Sequence, residues 1–147
     1  MLKKMYDQGK AQRWTTLPGD TLDGVDLRSL RGWLNEAVIF SCMRIFLAEF
    51  RHAIDVDRPP PFLLSSIWHT YMMQWRHDPA KVRAWTDKFI DACHLDGDII
   101  IPIHRPGHWI LGIVCMMERR IIIADSMRGT HAEVVESLKS WLKDELE

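Results

Sequence analysis

Three short apolar runs crowd residues 98–125 and set how the rest of the chain is read. Ile99-Ile100-Ile101-Pro102-Ile103 is dense in β-branched side chains and bounded by charge, which predicts a buried strand. Pro106-Gly107 is turn chemistry. His108 then heads a second run, Trp109 to Met117, and Glu118-Arg119-Arg120 predicts a hairpin tip. Ile121-Ile122-Ile123-Ala124 runs back, and Asp125 closes it. Pairing about Arg119 would bring His108 and Asp125 to the same end of neighbouring strands.

Elsewhere the apolar positions recur at three and four, the helical period. Asn35 is a good N-cap with Glu36 in the first turn. Val38, Ile39, Cys42, Met43, Ile45, Phe46 and Phe50 then predict a core helix of about four turns, with Cys42 packed on its apolar face. His52 to Phe62 reads as a loop stiffened by Pro59-Pro60-Pro61. Ser65 predicts the cap of a second helix from Ile67 to about Arg76, with an aromatic stripe of Trp68, Tyr71, Met72 and Trp75. Asp78-Pro79 restarts a helix whose inner face is Val82, Trp85, Phe89 and Ile90. Thr130 to Glu133 has capping-box spacing and opens a last helix, with Val134, Val135, Leu138, Trp141 and Leu142 inward. Residues 1–20 are polar, with a turn at Leu17-Pro18-Gly19-Asp20, and read as an N-terminal extension to a domain over 21–147.

Composition narrows the classes. A chain of 147 residues with seven tryptophans can build one real core. Its formal net charge of −1, without a basic stripe, argues against nucleic acid. No segment approaches the ~20 apolar residues of a membrane span, and the N-terminus lacks a signal-peptide core. Cys42, Cys93 and Cys115 form no C-x-x-C, which predicts reduced thiols in nucleus or cytoplasm. Cys93, His94, His104 and His108 are a conceivable zinc set, but His104 to His108 spans a turn and no cysteine pair supports it. Neither a metal nor another cofactor is expected.

His108 and Asp125 are the candidate chemistry. A carboxylate that accepts the Nδ1–H of an imidazole fixes its tautomer and strengthens it as a base. The residues around them resemble a known family. His108-Trp109-Ile110-Leu111-Gly112-Ile113 and Ile123-Ala124-Asp125-Ser126-Met127 are similar to the His-Trp-x-Leu and Asp-Ser-Leu elements of the ubiquitin-like-protein proteases. These are the SUMO-processing cysteine peptidases, related to the adenovirus proteinase. Upstream, Trp33-Leu34-Asn35-Glu36-Ala37-Val38-Ile39 resembles that family's Trp-Leu-Asn-Asp-x-x-Ile in the same order. Together the matches cover about residues 26–128.

The resemblance implies an α+β, papain-like half domain: N-terminal helices on a small, mostly antiparallel sheet, then a C-terminal helix. It implies His108 as general base and Asp125 as its orienting acid. It implies Trp33 and Trp109 as a narrow lid over a substrate's Gly-Gly tail, since flat indoles admit glycine backbone and reject side chains. Glu36, where the family has Asp, would help bind the body of the ubiquitin-like protein. The family's Gln-…-Asp-Cys-Gly segment, with nucleophile and oxyanion-hole glutamine, has no counterpart among these residues. Cys115 lies in the wrong order on a strand expected to be buried, and no glycine-flanked helix start follows Cys93. A base and its orienter without thiol and oxyanion hole lose most of the rate acceleration. The expectation is therefore a cysteine-type peptidase inactive alone. It would be the first half of a split gene, or be completed by a second polypeptide. The alternatives are a non-catalytic module that binds a ubiquitin-like protein, and an unrelated small α+β domain.

Overall fold

A computed structural model describes residues 13–15, 21–50, 59–75, 78–87 and 97–146. The chain divides into two compact units, 1–54 and 55–147, each taken here by itself.

In the first unit, β1 (Arg13–Thr15) pairs antiparallel with β2 (Thr21–Asp23), with Trp14 opposite Leu22. The turn expected between them lies outside the described residues. Asp23 then caps α1 (Gly24–Arg28). Its carboxylate takes the N–H of Val25 at 2.7 Å and of Asp26 at 3.0 Å, while the Asp26 carboxylate takes the Asp23 N–H at 2.9 Å. This reciprocal box satisfies helix-end donors that would otherwise need water. A 3-10 turn (Ser29–Arg31) follows, and then α2 (Glu36–Phe50). Asn35 caps α2 as expected, accepting the Val38 N–H at 3.1 Å through its side chain.

The buried face of α2 differs from the expectation. Val38 and Ser41 are buried, whereas Cys42 is exposed and Phe46 is 57% exposed. Apolar residues ring most of this helix, so their spacing alone could not choose which stripe turns inward.

The second unit runs β3 (Phe62–Leu63), α3 (Ser66–Gln74), α4 (Pro79–Thr86), β4 (Ile99–Arg105), β5 (His108–Cys115), β6 (Arg120–Ala124) and α5 (Ala132–Leu146). The sheet order is β3-β4-β5-β6. β3 lies parallel to β4, with Phe62 opposite Ile99; the other pairs are antiparallel. The strand at Phe62–Leu63 was not expected. Two residues carry no period, and only pairing with β4 defines them. Ser65 and Asp78 cap α3 and α4 as expected: the Ser65 hydroxyl takes the Ile67 N–H at 3.2 Å, and Asp78 takes the Lys81 N–H at 3.3 Å. Phe89, Ile90, Cys93 and His94 lie outside the described residues.

Two hairpins carry the site. β4 and β5 join through Pro106-Gly107, where Gly107 has φ +68°. That left-handed position costs glycine little. β5 and β6 pair Cys115 with Arg120 and Leu111 with Ala124. The hairpin therefore turns between Met117 and Glu118 rather than about Arg119. Asp125 follows the last residue of β6, so it still falls at the end of the sheet where β5 begins.

The core lies between the sheet, α3 and α5. Ile99, Ile101 and Ile103 are fully buried at alternate positions of β4. Val134, Leu138 and Trp141 recur on one face of α5, and Trp68 of α3 meets Trp141 edge-on at 4.6 Å. The Thr130–Glu133 box does not form as expected. α5 starts at Ala132, and Glu133 instead approaches Arg105 at 2.5 Å. Across the core, His69 of α3 is 5% exposed and its Nε2 lacks a partner.

Leu138→Ala should lower unfolding free energy by about 2–5 kcal/mol in denaturant melts, because the truncation leaves a cavity against β4 and β5. His69 predicts an acid limb. Burial, helped by Arg105, pushes its pKa down from 6.5 to about 4. The unfolded chain then takes up the proton first as pH falls. Stability should be full above 6.5 and decline towards pH 4, by at most about 1.4 kcal/mol per pH unit. His69→Leu should flatten that limb in melts across this range.

Candidate active site

The site is assembled at one end of the sheet from strand ends and the loop that enters α5. β5 opens at His108, directly after the Pro-Gly turn, and the antiparallel register places Arg105 opposite it. β6 ends one residue before Asp125. A polar residue at a strand end can turn out of the pleat without leaving a gap in the ladder.

His108 Nε2 contacts Asp125 Oδ1 directly. The expected pair therefore forms, but through the other nitrogen: Asp125 holds Nε2, not Nδ1. A ring's rotamer cannot be read from residue order, and here Nε2 meets the carboxylate in the loop after β6. Nδ1 is the ring nitrogen left for proton transfer.

Asp125 is a saturated acceptor. Oδ1 also takes the Met127 N–H at 2.8 Å, and Oδ2 takes the Gly129 N–H at 2.7 Å. Oδ2 is also 2.8 Å from His131 Nε2. The Asp125 side chain is only 5% exposed. Its hydrogen bonds to His131 and His108, then to the Met127 N–H, hold its carboxyl well below the usual carboxylate range. A Cβ on Gly129 would lie 2.8 Å from Oδ2 and 3.0 Å from His131 Nε2, so the loop needs glycine for this approach.

Trp109 follows His108 on β5 and is half-buried, its ring 4.8 Å from the His104 imidazole. Trp33 and Glu36 belong to the first unit. Trp33 is 74% exposed, and Glu36 opens α2, half-buried. Asn35, between them, donates to Asp26 Oδ1 at 2.7 Å and so ties the motif to α1.

Cys115 does not join the pair, and Cys93 lies outside the described residues. Cys115 is buried at the far end of β5; seven residues at ~3.3 Å put its backbone roughly 23 Å from that of His108. Burial, followed by a hydrogen bond with Glu118, pushes its thiol pKa up. Among the described residues, Asp98, Cys115 and Glu118 lie within metal-ligand reach of one another.

Sequence reasoning missed His131 and Gly129 as site residues. Their spacing after Asp125 was visible, but His131 was absorbed into the reading of a helix start.

What fold and site define together is an α+β unit that presents an imidazole–carboxylate pair at the end of a mixed sheet. Residues 33–147 match the Ulp1 protease family, C-terminal catalytic domain, and the chain belongs to that family. It is 30% identical over 135 residues to ubiquitin-like-specific protease 1A of Arabidopsis thaliana, covering 85% of this chain and 26% of the relative. It is 25% identical over 122 residues to a sentrin-specific protease of Caenorhabditis elegans, covering 82% of this chain and 17% of that protein. The fold matches the Chaetomium thermophilum Ulp1-like SUMO protease catalytic domain with TM-score 0.71 and 22% identity, covering 97% of this chain and 60% of that one. It matches the Ulp1 domain solved with Smt3, the yeast ortholog of SUMO, with TM-score 0.68 and 21% identity, over 96% and 62% of the two chains. The chain thus spans about a quarter or less of the curated relatives' length.

The depressed Asp125 pKa predicts an NMR outcome. At pH 3.8, where an ordinary aspartate is half protonated, the Asp125 side-chain carbon should still report a carboxylate. Its folded value lies below the unfolded one. The stability it contributes is therefore present above that pH and lost as pH falls further, and Asp125→Asn should remove that part of the acid limb.

Proposed function

We propose that this chain carries the base and its orienting acid of a thiol peptidase. The bond it serves to cut follows the C-terminal glycine pair of a SUMO-like protein. The observation that carries the reading is the contact of His108 with Asp125 at adjoining strand ends, in a chain of this family. In the completed site, His108 Nδ1 accepts the thiol proton and the sulfur adds to the glycine carbonyl. The imidazolium returns its proton to the leaving amine, and water then hydrolyses the thioester with the same base. Asp125 orients the ring and offsets its charge. Trp109 and Trp33 screen for glycine backbone in the substrate tail, and Glu36 contacts the body of the ubiquitin-like protein.

In this reading the nucleophile and the oxyanion-hole glutamine come from another segment, in cis or in trans, and the chain alone is inactive. The buried, remote Cys115 supports this, as does Cys42, which lies in mid-helix away from the end that would activate a thiol. A groove of about 600 Å³ between the β5–β6 hairpin and α5, floored by Val114, Ile121, Val135 and Leu142, offers apolar surface for a complementing segment. The free thiols fit a reducing compartment, nucleus or cytoplasm.

The test is reaction of the purified chain with a SUMO-like protein bearing a C-terminal thiol-trapping electrophile, read by intact mass. We expect no adduct, and reversible binding that Trp109→Ala weakens by about tenfold or more. An adduct would show that one of Cys42, Cys93 or Cys115 is the nucleophile and would overturn the assignment. Binding that survives in every completed assembly without hydrolysis would leave a non-catalytic module.

A further inference from the structure

The Asp125 carboxylate holds two imidazoles, one on each oxygen, and only one of them belongs to the pair described above. His131 Nε2 lies 2.8 Å from Oδ2, while His108 Nε2 contacts Oδ1. An ionised carboxylate can only accept, so both rings donate through Nε2. We propose that His131 is a positioning residue, whose hydrogen bond locks the Asp125 carboxylate in the plane that presents Oδ1 to His108. This rests on the reading of His108 as base.

Three observations support it. First, the terminal torsion of an aspartate is broad and soft. With His131 removed, Oδ2 keeps only the Gly129 N–H, while the Met127 N–H and the His108 ring both hold Oδ1. His131 adds a side-chain anchor on Oδ2 at the end of the loop, where it joins α5. It immediately precedes α5, whose Val134, Leu138 and Trp141 are embedded in the core. Second, the His131 side chain is not the cap of its own helix. Its backbone carbonyl serves there, accepting the Val134 and Val135 N–H groups at 3.1 Å, and the ring turns back towards Asp125. Third, His131 Nδ1 is buried with no partner among the described residues. A ring placed to satisfy itself would not leave a nitrogen bare; this orientation satisfies the carboxylate instead. Gly129 belongs to the same device, because only a residue without Cβ lets carboxylate and second imidazole meet.

The readout is proton NMR of the histidine-15N-labelled full chain, without substrate. Two imidazole Nε2–H protons should appear downfield and be protected from solvent exchange, one from His108 and one from His131. Asp125→Asn should abolish both. His131→Phe should abolish the His108 signal as well, although His108 is untouched. His131→Gln, which restores an N–H donor, should bring it back. Gly129→Ala, with both rings present, should weaken both signals. The inference is overturned if His131→Phe leaves the His108 signal unchanged in a folded chain. It is also overturned if the wild-type chain shows no protected His131 proton, which decides the matter even where the Phe variant does not fold. These signals need no nucleophile, so a chain without peptidase chemistry can still pass, and a catalytically competent assembly can still fail.

Discussion

The Asp125 carboxylate is the constraint on which this end of the molecule depends. It takes a ring nitrogen from β5, two backbone N–H groups from its own loop and a second ring nitrogen from the entry to α5. The four donors come from β5, the loop and the residue that enters α5, so the carboxylate joins sheet, loop and helix at one point. Charge-assisted hydrogen bonds are the strong kind, and four of them make rearrangement of the loop costly. The same bonds that hold its pKa down therefore also hold the geometry of His108.

Packing supplies the rest of the rigidity. α5 could not bring His131 to the carboxylate without Val134, Leu138 and Trp141 seated against β4, β5 and Trp68. The Arg105–Glu133 pair ties the end of β4 to the first turn of the same helix. That pair is exposed and adds little by itself, but it lies beside His69, whose neutral state is favoured by burial and by the Arg105 charge. The site thus sits against an apolar core in which His69 is a buried titratable group.

His108 and Cys115 lie at opposite ends of one strand, and a strand cannot be bent to bring them together. Cys115 therefore does not reach His108.

Much of the fold was legible in the residues. Proline-glycine, β-branched runs and caps at Asn35, Ser65 and Asp78 are local signals, and local physics decides turns, strand propensity and helix starts. His108 and Asp125 stood at expected strand ends, but it was the resemblance of the residues around them to a known family that singled them out. What the sequence alone could not decide was which ring nitrogen meets the carboxylate, which stripe of α2 turns inward, or that Phe62–Leu63 joins the sheet in parallel. Nor could it show that His131 folds back on Asp125. Each of these depends on residues distant in sequence arriving at one place, and only the packed tertiary structure sets those distances.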